Sequence, residues 1–137
     1  MSVIQEFLDA NAAYASTFHK GDLPMPPARK VAVLTCMDAR IVPSRILGLE
    51  EGDAHVIRNA GGRAEDALRS LIISEQLLGT TSIVVIHHTD CGMLTFSNAD
   101  LHQKLKKELN ADASAINFLP FKDLEMSVRD DVAFLKA

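Results

Sequence analysis

The first apolar pattern along the chain has the period of a helix. Ile4, Phe7, Leu8, Ala15 and Phe18 recur at helical spacing with Asn11 as the one polar interruption, which predicts an amphipathic helix ending near Gly21. Pro24, Pro26 and Pro27 follow as a stiff connector that cannot be helix interior. Such a helix either packs on its own core or lies as an arm across a neighbouring subunit, and the proline spacer suits the second arrangement. From Val31 the pattern changes to short continuous runs. Val31–Thr35 (VAVLT), Ala54–Arg58 (AHVIR) and Ile83–His87 (IVVIH) are apolar and β-branched on successive positions rather than alternating. Strands of that kind are covered on both faces and belong to a parallel sheet. Between the second and third runs, Ala67, Leu68, Leu71, Ile72 and Leu78 mark one face of a helix over Glu65–Leu78, and Gly79 stands where it stops. A shorter helix is expected from Pro43 to Gly48, with proline in its first turn. Two more helices are expected, Asp100–Leu109 and Phe121–Ala137, with no convincing fourth strand.

Strands alternating with helices imply right-handed crossovers and a three-layer α/β fold, a mainly parallel central sheet with strand order 2-1-3 and flanking helices. The expected organisation is a single domain over 1–137. Residues 1–30 form a helical arm and Pro-rich connector, and residues 31–137 form the α/β core.

Composition changes the picture only by exclusion. With 137 residues, 47% of them hydrophobic and 23% charged, the chain has the ordinary globular mix rather than a disordered or fibrous one. Lys and Arg number 14 against 18 Asp and Glu, a formal net charge of −4, so no electrostatic footprint for nucleic acid or an anionic membrane is expected. No apolar stretch approaches the roughly 20 residues that cross a bilayer. Glu6 and Asp9 near the start argue against a secretory signal and an Arg-rich transit peptide. Two cysteines make no disulfide framework, so the expected compartment is cytoplasmic and the thiols need another explanation.

That explanation lies in two short segments, Cys36-Met37-Asp38-Ala39-Arg40 and His88-Thr89-Asp90-Cys91, each beginning where an apolar run stops. Ligands of open parallel sheets bind outside the carboxyl ends of the strands. With strand order 2-1-3 the first and third strands are neighbours, so Cys36, His88 and Cys91 converge from positions about fifty apart. Two thiolates and an imidazole are a donor set favoured by Zn²⁺, and a set with one vacancy suits a catalytic rather than a structural ion. Asp38 has two possible uses. It closes the fourth position, or Arg40 holds it in a bidentate pair and leaves the metal open to water.

These segments resemble the β-class carbonic anhydrases, whose motif Cys-x-Asp-x-Arg followed by His-x-x-Cys reads here as CMDAR and HTDC. Glu51–Gly62 (EGDAHVIRNAGG) and Ile86–Met93 (IHHTDCGM) are also similar to that family, the latter especially to its short-chain members. The resemblance implies one zinc ion per chain on Cys36, His88 and Cys91, with Asp38 and Arg40 as a catalytic dyad. It implies reversible hydration of carbon dioxide to bicarbonate and a proton by hydroxide on the metal, and a homodimer or dimer-based oligomer. Because two thiolates make zinc a weaker Lewis acid than three histidines do, activity is expected to rise above neutrality. Gly61 and Gly62 are candidates for close backbone approach to the substrate, or simply form a tight turn into the next helix. Two departures stand out. The family continues past the last helix into a further strand and tail, whereas this sequence reaches Ala137, and the connector Leu23–Lys30 lacks the glutamine that some members present to the site.

Other residues carry plainer expectations. His87 packs or hydrogen-bonds, or serves proton transfer, and His19, His55 and His102 are surface or core-edge residues. Asp90 fixes the turn between the ligands or accepts a supporting hydrogen bond. Arg58 and Arg63 form a salt bridge at a domain or subunit contact, or bind bicarbonate, and Lys104, Lys106 and Lys107 line a solvated helix face. Competing functions are hydrolysis of carbon disulfide or carbonyl sulfide on the same site, a non-catalytic zinc-binding regulatory domain closed by Asp38, and a redox dithiol of Cys36 and Cys91.

Overall fold

A computed structural model of the chain describes residues 2–137. Met1, the first residue of the expected arm, lies outside the described residues. The central strand β1, Val31–Cys36, pairs in parallel with β2, Ala54–Asn59, and with β3, Ser82–Ile86, in the order β2-β1-β3. Val33 stands opposite both Val56 and Val84, so these three side chains share one face of the sheet. Among the described residues there is no fourth strand.

Coverage of the two faces is unequal. On one face, Ala32 and Leu34 of β1 pack against Ala64, Ala67 and Leu71 of α3 (Ala64–Leu78) and Leu135 of α5 (Leu124–Lys136). On the other, Leu47 of the short α2 (Pro43–Leu47) and Leu49 border a depression of about 300 Å³ lined by Val31, Val33 and Val84. Only β1 is buried nearly throughout. Val56 and Val84 on the flanking strands keep 43% and 39% of their surface exposed. The expectation that all three runs are covered on both faces therefore holds for the middle strand alone, because five helical residues cannot span a three-stranded sheet.

Helix boundaries follow local chemistry. α1 spans Val3–Thr17 and begins where the Ser2 side chain accepts from the Gln5 amide at 3.2 Å. It stops short of Gly21 because the Ser16 and Thr17 hydroxyls turn back onto the carbonyls of Ala13 and Tyr14 and satisfy its last turn. No residue of α1 is buried. The helix does not pack on its own core, and Ile4, Phe7, Leu8, Tyr14 and Phe18 face outward. α3 ends at Gly79, left-handed at φ 79°. α4 spans Asn98–Leu109 behind a reciprocal Ser97–Asp100 cap. α5 begins at Leu124, three residues later than its pattern predicts, because the Phe121 amide is engaged with the Met93 carbonyl and Asp123 caps the helix. None of these helices is long and apolar enough to cross a membrane.

Candidate metal centre

β1 delivers Cys36 as its last residue, and the chain leaves β3 into His88 and Cys91. Because β1 and β3 are paired in register, these ends are neighbours, and the donor atoms of Cys36, His88 and Cys91 lie within 4.8 Å of one another. The two sulfurs are 3.9 Å apart. Two thiolates each about 2.3 Å from a tetrahedral ion would sit about 3.8 Å apart, so the spacing fits one shared zinc. His88 faces the cluster with the right nitrogen. Its Nδ1 donates to the Thr89 carbonyl at 2.8 Å, which leaves the Nε2 lone pair free. That Nε2 is buried and has no hydrogen-bond partner among the described residues. A buried unpartnered nitrogen costs about 1–3 kcal/mol unless something occupies it, and a metal ion satisfies it together with both sulfurs.

Electrostatics separate the two thiols. Burial pushes Cys36 up, but the adjacent His88 ring, hydrogen bonds from the amides of Asp38 and Gly61, and the Cys91 thiol outweigh it, and its pKa falls below the ordinary thiol value. The Gly61 amide donates to Cys36 Sγ at 3.4 Å. Cys91 is raised, first by burial and then by the neighbouring charge of Cys36, with the Met93 amide opposing. Met93, Phe121, Leu94 and Phe96 pack around the sulfurs and keep their far side dry.

Asp38 lies beside the cluster and is held by Arg40. Asp38 Oδ1 accepts from the Arg40 backbone amide at 2.8 Å and from Nε at 3.0 Å, while Oδ2 accepts from Nη2 at 2.7 Å. These bonds hold the Asp38 carboxyl well below the usual carboxylate range. Asp38 Oδ2 is 3.8 Å from His88 Nε2. The carboxylate thus borders the donor set while its hydrogen bonds belong to the arginine.

A sequence model of the carbonic anhydrase family matches residues 31–125. The chain is 52% identical to Beta-carbonic anhydrase 1 of Mycobacterium tuberculosis over 109 residues, covering 79% of this chain and 66% of that protein. The chain belongs to the β-carbonic anhydrase family. The crystal structure of a carbonic anhydrase from Streptococcus mutans superimposes with a TM-score of 0.93 at 52% identity, covering 99% of this chain and 82% of that one. A carbon disulfide hydrolase of Acidianus is 39% identical over 104 residues, 72% of this chain and 50% of that protein. As a β-carbonic anhydrase family member, the chain thus spans just under two thirds of the length of its mycobacterial relatives.

Within this β-carbonic anhydrase fold the remaining residues fall into distinct surroundings. Gly61 and Gly62 form the turn from β2 into α3 at φ 84° and 62°. The Gly61 amide is committed to sulfur, and Gly62 lies against the backbone of Thr35 and Cys36. Arg58 donates to the carbonyls of Cys36 at 2.8 Å and Asp38 at 2.7 Å, bracing that segment rather than pairing with an acid. Arg63 does form a salt bridge, but with Asp131 of α5 in the same chain, at 2.9 Å. His87 stacks on Phe121 and its nitrogens face Ser127, Gly62 and Asp131. Asp131 also accepts from the Ala64 amide at the start of α3, so one carboxylate ties α5 to α3 and to His87, beside His88. Reading the chain did not single out Asp131, since nothing in a helix pattern distinguishes an inward acid from a solvated one. His55 binds Ser74 at 2.6 Å, as a core-edge residue should, and His102 reaches the Ile116 carbonyl.

Proposed function

We propose that this chain binds one zinc ion through Cys36, His88 and Cys91 and catalyses the reversible hydration of carbon dioxide to bicarbonate and a proton. The observation that carries this reading is the buried, unpartnered His88 Nε2 facing two sulfurs 3.9 Å apart, with the Asp38–Arg40 pair alongside. When bound, zinc supplies Lewis-acid activation of water for addition to carbon dioxide. Cys36 and Cys91 give the charge that offsets the ion, and the Thr89 carbonyl fixes the His88 tautomer that ligates. Asp38, kept ionised by Arg40, would accept a hydrogen bond from the attacking water, which keeps its proton, and so aim the oxygen's lone pair at carbon. Arg40 also withholds Asp38 from the metal. Gly61 and Gly62 contribute the shape of the wall, with the Gly61 amide spent on Cys36.

The same reading includes a single domain over residues 1–137 acting in the cytoplasm, in keeping with reduced, metal-binding thiols. It also includes a homodimer or dimer-based oligomer. Support comes from α1, whose apolar face has no cover among the described residues, and from the exposed Val56 and Val84.

The test combines zinc analysis with stopped-flow carbon dioxide hydration against pH. One zinc per chain with turnover rising above neutrality is expected, and Arg40→Ala should keep the metal while losing most turnover. Zinc bound without turnover at neutral and alkaline pH would favour a regulatory domain. Protein that takes up no stoichiometric metal would favour the dithiol. The kinship with a carbon disulfide hydrolase supports a second reading on the same residues, hydrolysis of carbon disulfide or carbonyl sulfide. Product assays on the three substrates separate the two.

A further inference from the structure

Arg40 is the most exposed member of the site, with 62% of its side chain open to solvent, yet it has to restrain Asp38. Exposed ion pairs restrain little by themselves, because each long side chain keeps its rotamer freedom. A second anchor makes the difference. Arg40 Nη1 donates to Asp90 Oδ2 at 2.9 Å and Nη2 to the Asp90 carbonyl at 2.9 Å, in addition to its three bonds to Asp38. The guanidinium is therefore stretched between the segment after β1 and the loop that carries His88 and Cys91. Arg58 steadies only the backbone of Cys36 and Asp38 and leaves the Asp38 side chain to Arg40.

What Asp38 would do without that restraint follows from one distance. Nitrogen and oxygen ligands of a single tetrahedral zinc stand about 3.4 Å apart. Asp38 Oδ2 and His88 Nε2 are 3.8 Å apart, so the carboxylate is within a small side-chain movement of the donor set. We propose that Asp90 is a positioning residue that holds Arg40, and through it holds Asp38 off the metal, so that the loop between two ligands governs whether the fourth coordination place is open. The proposal rests on the zinc reading of the site. Asp90 itself is 85% exposed and adopts φ 55°, a left-handed conformation that aspartate, asparagine and glycine tolerate. Among the described residues its carboxylate hydrogen-bonds Arg40 and none of the three donor atoms.

The conformation dictates the variants. Asp90→Gly removes the carboxylate without straining the backbone, and Asp90→Asn keeps an oxygen acceptor for Arg40. Each is loaded with cobalt(II), and the visible d–d absorption is titrated with azide, which reports an exchangeable coordination place without any turnover. Wild type and Asp90→Asn should respond at similar azide concentrations. Asp90→Gly should require about tenfold more azide, the order of one charge-assisted hydrogen bond lost. Adding Asp38→Ala to Asp90→Gly should restore the response, which a merely damaged loop would not do. An Asp90→Gly protein that answers azide like wild type overturns the proposal while leaving the metal centre standing. So does one that cannot hold cobalt, since Asp90 would then support the ligands rather than govern Asp38. Wild-type protein that takes up no cobalt overturns the metal reading and this proposal with it.

Discussion

Gly62→Ala tests how tightly the turn after β2 is built against β1, the strand that ends at Cys36. A Cβ at Gly62 would lie 2.8 Å from the carbonyl carbon of Thr35, 2.9 Å from the Cys36 nitrogen and 3.1 Å from the Thr35 Cα, all backbone of the buried central strand. No side chain rotates away there, so the turn or the strand has to shift, at an overpacking cost of about 1–3 kcal/mol. Alanine at φ 62° adds about 1–2 kcal/mol of left-handed strain. The total is about 2–5 kcal/mol. A chain of 137 residues unfolds with an entropy of roughly 0.29 kcal/mol per degree, so the midpoint should fall by about 7–17 °C. Gly79→Ala is the control. It has the same hand of backbone, φ 79°, but nothing within 4 Å of its Cβ. It should lose only the strain, about 1–2 kcal/mol or about 3–7 °C. Thermal melts followed by circular dichroism compare the two, with zinc content measured alongside. Displacing Cys36 disturbs the 3.9 Å sulfur spacing, so Gly62→Ala should also bind zinc less completely. If Gly62→Ala melts no lower than Gly79→Ala, the close approach to β1 is not what this glycine is for.

The remaining predictions concern the ligands, the buried carboxylate and the exposed helix. Cys36→Ser should abolish stoichiometric zinc in elemental analysis and lower the melting temperature towards that of chelator-treated wild type, because the ion is coupled to folding. Asp131→Asn should cost about 3–5 kcal/mol in urea unfolding, since it leaves the Arg63 guanidinium enclosed without its counter-charge. Burial pushes Asp131 up, but hydrogen bonds from His87, Arg63 and the Ala64 amide outweigh it and lower its pKa. Its stabilisation is therefore complete above the unfolded carboxylate value near 4 and lost as pH falls through the lower folded one. Wild-type melting temperature should drop over that acidic range, and a profile no steeper than that of Asp131→Asn would contradict the assignment. Replacing Phe7 and Leu8 together by aspartate should weaken self-association by at least about a hundredfold, at about 1.5–3 kcal/mol for each apolar side chain. Light scattering at micromolar protein should then find monomers, and an unchanged oligomer would remove α1 from the interface.

What could be read along the chain is what neighbouring residues settle among themselves. The continuous runs VAVLT, AHVIR and IVVIH mark strands because β-branched apolar residues leave no helical stripe, and β3 is offset by only one residue from its run. Gly79 stops α3 and Pro43 opens α2 through their own backbone preferences. The spacing of CMDAR and HTDC, each at a strand end, was enough to predict that two sulfurs and one imidazole meet. Only the tertiary structure decided which sheet face is covered, since the pattern of β2 and β3 is the same whether a helix or another subunit lies on Val56 and Val84. It alone chose partners for the long charged side chains. Arg58 serves carbonyls, Arg63 takes Asp131, and Arg40 is shared between Asp38 and Asp90. Those choices depend on which groups arrive within about 3 Å after the chain has packed, a matter of three-dimensional distance that local periodicity does not encode.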